Sequence, residues 1–278
     1  MRIEVNTSKL KESSARELSE FAGSFQPYTL DFAQRVVSTV VEHIPLVDFA
    51  LEATLYLVPH AEADAYVEFV DGDPHMIVDL SRFLARTDQE TWANLYAAAY
   101  HEFWHIAFCK YIENHWRVKN PYSVPDPEYE LVFTMLDEGY GHYLSLLAYG
   151  GGKEGAHRIL LSKSTTDVQT GYFQQFHPKI IEFNASSGPR KKQLVYEAHI
   201  GSMWDKWGAL TGALVISTLH MQLECKEVVE SFRWNPYSVW SMYQDICERD
   251  HRLSGEFLEM VGVVEQRETQ GLFDSAQA

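Results

Sequence analysis

His101-Glu102-Phe103-Trp104-His105 lies within a segment, Glu90 to Ile112, that contains neither Gly nor Pro. Three successive alanines (Ala97, Ala98, Ala99) raise its helix propensity. Upstream, Thr87-Asp88-Gln89-Glu90 reads as a capping box, with the Thr87 hydroxyl closing the helix N-terminus and Glu90 reaching back. Trp92, Leu95, Ala99, Phe103 and Ile106 recur at helical spacing and form one apolar face. Asn94, Ala97, Ala98, His101 and His105 run down the neighbouring face. Residues four apart on a helix share a face, so His101 and His105 present two imidazoles to one point. The small side chains before them leave clearance there. H-E-x-x-H on a helix is a metal-ligand pattern, with Glu102 beside the first ligand and in reach of a metal-bound water.

Two histidines do not complete a zinc site, which takes three protein ligands and keeps one position for water. The next element to supply a donor begins at Asp126-Pro127-Glu128. It has an N-cap, a proline at the first helical position and acids in the first turn. An apolar run from Leu131 to Tyr149 follows and stops at Gly150-Gly151-Gly152. Asp137 and Glu138 are charges inside that apolar helix, where a carboxylate is costly unless paired or metal-bound. Glu138 shares a face with Leu131, Met135, His142 and Ser145, so Glu138, Asp137 and His142 are all candidate third ligands. Gly139 and Gly141 weaken the helix, and close approach of two helices around a shared ion would account for them.

H-E-x-x-H followed by Glu138-Gly139-Tyr140-Gly141-His142-Tyr143 resembles the gluzincin class of zinc metallopeptidases, especially small members with an E-G-x-A-x-Y-type glutamate helix. Gly141 stands where that motif has Ala. The resemblance implies a zincin-like α+β fold: a small mixed sheet packed on the H-E-x-x-H helix, then a mostly helical C-terminal subdomain. It implies Zn2+ held by His101, His105 and Glu138, with Glu102 as general base, and a peptide or protein substrate. It also implies a donor for the oxyanion from the C-terminal half, for which Tyr196 and His199 are the candidates; Tyr140 and Tyr143 are weaker ones. A zinc hydrolase of a non-peptide amide or ester, or a non-catalytic zinc-binding regulatory protein, would use the same ligands.

Strand-like runs precede the histidine helix at Thr54 to Val58 and Ala65 to Val70, and the turn Asp71-Gly72-Asp73-Pro74 leads to His75 to Leu80. An edge strand able to pair with an extended peptide is expected at His75 to Leu80. Helices are expected at Thr29 to His43, Leu194 to Trp207, Ala209 to Glu224 and Ser238 to Glu248. The basic stretch Ser186 to Lys192 reads as a solvated linker, and the polar end as frayed from Gln266. The glycine cluster divides an α+β front (1–150) from a helical back (151–278) closing over the cleft.

The chain has 278 residues and is 46% hydrophobic, enough for a substantial core. A formal net charge of −16 argues against nucleic acid and against anionic membrane surfaces. Trp207 to Met221 is apolar but too short to span a bilayer, and reads as a buried helix whose Gly208-x-x-x-Gly212 permits close packing. The first residues lack a signal-peptide pattern and the three cysteines are scattered, so a cytoplasmic setting is expected, with Cys109 a core thiol. Nothing in the sequence sets the oligomeric state.

Overall fold

The computed structural model describes residues 1–11, 15–45, 50–85, 87–115, 121, 124–162, 168–201, 204–247 and 252–270. Much of the expected loop from Glu113 to Asp126 lies outside these residues, as do Ser202, Met203, Glu248 and 271–278. The fold is α+β, mostly helical, with a small mixed four-stranded sheet. By its internal contacts the chain divides into Met1–Ala107 and Phe108–Ala278.

The first unit contains β1 (Arg2–Asn6), α1 (Ser8–Lys11), α2 (Arg16–Phe25), α3 (Thr29–Val41), β2 (Glu52–Val58), β3 (Ala65–Val70), β4 (Asp73–Asp79) and α4 (Leu80–Phe83). It also holds the N-terminal part of α5 (Asp88–His115), the helix that carries H-E-x-x-H. The sheet order is β1-β2-β4-β3, parallel at β1–β2 and β2–β4 and antiparallel at β3–β4. The strand expected at the edge is therefore interior: β4 is hydrogen-bonded to β2 on one side and β3 on the other. The reason is visible in its burial. Met76, Ile77 and Val78 are buried in succession, the pattern of a strand covered on both faces. The free edges belong to β1 and β3. An aromatic cluster ties α2 and α3 to α5, with Phe25 against Trp92 (5.0 Å) and Phe32 stacked on Tyr96 (4.6 Å).

The second unit takes the rest of α5 and adds α6 (Pro127–Gly150), α7 (Lys153–Ser162), α8 (Val168–Ala185), α9 (Gly188–His199), α10 (Trp207–Gln222), α11 (Cys225–Trp234), α12 (Ser238–Ile246) and α13 (Gly255–Thr269). Asp126 caps α6 by accepting from the Tyr129 amide at 2.9 Å, and Gly151 ends it at φ 68°, as the sequence predicts. The glycine turn at 150–152 lies inside this unit. The basic stretch read as a linker is instead the first turn of α9, which stops at His199 rather than running on to Trp207. Its cations meet carboxylates on other elements: Lys191 pairs with Glu128 of α6, and Arg190 reaches Glu182 of α8. The tail expected to fray from Gln266 stays helical to Thr269.

α6 and α10 cross with their backbones in contact. A Cβ on Gly139 would lie 2.7 Å from the Gly212 carbonyl carbon, and one on Gly212 would overlap the Met135 carbonyl oxygen. Gly208 is as tight, 2.7 Å from the Ala198 Cβ. Gly139 thus serves the close approach of two helices that the sequence suggested, its contact being with the Gly212 backbone. α10 is sixteen residues long, and among the described residues no helix is long and apolar enough to cross a membrane. Gly212→Ala is expected to destabilise the protein by roughly 1–3 kcal/mol or more, because the helices must separate. Gly262→Ala, in α13 with nothing within 4 Å, is expected to gain up to about 1 kcal/mol. Urea denaturation of both variants checks this contrast.

α13 buries a carboxylate. Glu268 is 6% exposed beside Tyr129 and Tyr237, but makes no hydrogen bond of good geometry. Burial pushes its pKa up to about 7; the Tyr237 hydroxyl opposes the shift and Glu265 adds to it. The folded protein therefore holds this proton more tightly than the unfolded chain. The stability this contributes is complete below about pH 4.5 and is lost as pH rises through about 7. Glu268→Gln is expected to match the wild type near pH 4.5 and exceed it by roughly 2–3 kcal/mol at pH 8. Urea titrations at the two pH values measure the difference, and a constant gap would remove this account.

Candidate metal centre

α5 is held at its start by the capping box that the sequence predicts. The Glu90 amide donates to the Thr87 hydroxyl oxygen at 3.2 Å, and that hydroxyl donates to the Glu90 carboxylate at 3.0 Å. Asn94 donates to the Phe83 carbonyl at 2.8 Å, tying the helix to the end of α4. The Arg35 guanidinium of α3 sits over the Tyr96 ring at 4.7 Å. These contacts fix the rotation of the helix within the first unit. Ala97 and Ala98 are buried, while His101 and His105 on the same face keep partial exposure. The two imidazole centroids are 4.6 Å apart with the rings at 76°. Glu102, next to the first histidine, is buried.

One turn beyond His105, Cys109 is buried. Burial pushes its thiol pKa well up, and Glu113 and Asp137 add to the shift. A thiol kept protonated in this way is a core side chain, as the sequence suggests.

Glu138 projects from α6 immediately before the Gly139 contact. Its side chain is 18% exposed, with Oε2 lying 3.7 Å from His142 Nε2 and 3.7 Å from Lys206 Nζ. Asp137 is fully buried, and its charge is felt by the Cys109 thiol. His142 is also buried and shares the oxygen of Glu138. Lys206, just before α10, was not singled out by sequence. It stands 68 positions from Glu138 in the chain, and only the close crossing of α10 on α6 brings it there.

The candidate oxyanion donors fall on the last turn of α9. Tyr196 is 55% exposed. His199 Nδ1 is 2.8 Å from the Val195 carbonyl oxygen, which assigns the Nδ1 proton to that bond, and its ring is 6.2 Å from that of Tyr196. Lys179 first, then Arg190 and Gln193, draw the pKa of the intervening Glu197 down to about 2 against a burial cost, which pins α9 to α8. Tyr140 and Tyr143 face the core. The Tyr140 hydroxyl is 3.0 Å from His220 Nε2, and Tyr143 stacks on the same imidazole at 5.0 Å.

The first unit thus brings together His101, Glu102 and His105, and the second brings together Glu138, His142 and Lys206. Imidazole nitrogens from His101 and His105 and a carboxylate oxygen from Glu138 are the donor types of a catalytic zinc site. Two partly exposed imidazoles set edge to face on successive turns fit a shared ion better than they fit a packed core. An α+β chain with these donors has the makings of a metalloprotein. The chain belongs to the family described as "Putative zinc dependent peptidase (DUF5700)", which it matches over residues 8–252. No curated protein and no solved structure matches it significantly.

Proposed function

We propose that this protein is a gluzincin-type zinc peptidase with a zincin-like fold, in which His101, His105 and Glu138 hold the metal and Glu102 is the general base. The observation that carries the reading is the His101–His105 pair, 4.6 Å apart on one face of an unbroken helix with Glu102 between them. Membership of a family described as zinc dependent peptidases supports it. The donor set of two nitrogens and one oxygen leaves a fourth position for water.

Zinc, when bound, supplies Lewis acidity and lowers the pKa of water from about 15.7 toward about 7. The work of the side chains is to move one proton. Glu102 accepts it as the water oxygen bonds to the scissile carbonyl carbon. It delivers the same proton to the amide nitrogen as the carbon–nitrogen bond breaks, so the products are a carboxylic acid and an amine. Burial of Glu102 keeps bulk water from competing for that proton. Tyr196 and His199 remain the candidates for a donor to the oxyanion from α9. The substrate on this reading is a peptide or protein.

Glu102→Gln is expected to retain near-stoichiometric zinc while hydrolysis of labelled casein falls about 10²–10⁴-fold. His101→Ala, His105→Ala and Glu138→Ala are each expected to lose zinc. Elemental analysis of each variant, purified without chelator, gives the metal content. A wild-type protein that stays zinc-free after dialysis against zinc overturns the reading.

A further inference from the structure

Lys206 is a cation placed against a carboxylate that has other work to do. Its side chain is 19% exposed, and an ammonium that far from water needs a counter-charge. Glu138 supplies it at 3.7 Å, while His142 lies at the same distance from the same oxygen. Both separations are longer than a hydrogen bond. Neither of these two contacts is the short hydrogen bond that would fix this oxygen on one partner.

We infer that Lys206 is a positioning residue for Glu138 whose charge also sets how tightly the metal is held. The inference rests on the reading in which Glu138 is the third zinc ligand. In the metal-free protein the ammonium attracts the Glu138 carboxylate, with His142 beside the same oxygen. Once zinc is bound, Glu138 is shared between two cations, and the ammonium repels the dication. Zinc affinity is lowered as a result. A positive charge held against a ligand carboxylate would also favour loss of a proton from water bound to the metal. Lys206 thus trades metal affinity for acidity at the reacting centre.

The direction of the effect separates this role from a structural one, because damage to a metal site loosens the metal and does not tighten it. Zinc dissociation constants are to be measured on the full chain by competition with a chromogenic chelator. Lys206→Met is expected to bind zinc about tenfold more tightly than wild type. Lys206→Arg, which keeps the charge, is expected to stay within about threefold. Lys206→Gln provides a second neutral variant should the methionine form fail to fold, as judged by circular dichroism. Equal or weaker zinc binding by a folded neutral variant overturns the inference and leaves the peptidase reading intact. Zinc absent from the wild-type protein overturns both.

Discussion

The contact between the α6 and α10 backbones is the constraint on which the second unit is built. Two helices carrying ordinary side chains pack with axes about 8–10 Å apart. Here Gly139 meets Gly212, and Gly212 meets the Met135 carbonyl, so there is no layer of side chains at the crossing. Each glycine costs helix propensity, about 1 kcal/mol relative to alanine in an exposed helix. That cost is offset by the close packing of the main chains and of the apolar residues around them, nearly all of α10 being buried. Glu138 directly precedes Gly139 in the chain, so its backbone is anchored by the same contact. The end of α10 that begins at Trp207 is brought up beside it, Gly208 against Ala198 and Met135, and Lys206 arrives with it.

α5 solves a different problem. Leu95, Ala99, Tyr100, Phe103, Trp104, Ala107 and Phe108 bury it on most sides. Such a helix has one narrow stripe on which polar side chains are tolerated, and that stripe is where His101 and His105 stand. Small residues at Ala97 and Ala98 keep it open above them. Placing Glu102 beside the stripe, and burying it, puts a carboxylate in surroundings where electrostatic interactions are stronger than in water. On the proposed reading, a metal-ligand pair on a stiff, capped and buried helix is also held in a fixed geometry, as a reactive centre requires.

The elements that could be read from sequence are those written in local signals. The capping box at Thr87, the Asp126-Pro127 start, the Gly151 stop and the H-E-x-x-H spacing depend on residues within a turn or two of each other. β1 does not. Its five residues acquire meaning only by pairing in parallel with β2, fifty positions on, and β4 is interior because β2 pairs with it on the side away from β3. The first turn of α9 failed for a related reason. Arg190 and Lys191 look solvated in one dimension, and their carboxylate partners lie on α6, on α8 and further along α9 itself. Pro189 after Ser187 was the available clue, since proline at a first helical position marks a start. Lys206 had no such clue, because a lysine in a Trp-Asp-Lys-Trp stretch is unremarkable until another helix delivers it to Glu138.

These misread cations share a logic. In a chain this acidic, several partly buried lysines and arginines of the second unit serve as cross-links between elements. Lys179 joins α8 to Glu197 at 2.7 Å, Arg190 joins α9 to Glu182 at 2.6 Å, Arg267 joins α13 to Asp126 at 2.5 Å, and Lys191 joins α9 to Glu128. Short charge-assisted hydrogen bonds of that kind consume the carboxylate they use. Among the described residues Lys206–Glu138 is the longest of these links, at 3.7 Å. It retains the Coulombic attraction that orients Glu138, yet forgoes the short bond that would tie up its oxygen. On the reading in which Glu138 is a zinc ligand, the longer contact suits a carboxylate that is shared with the metal.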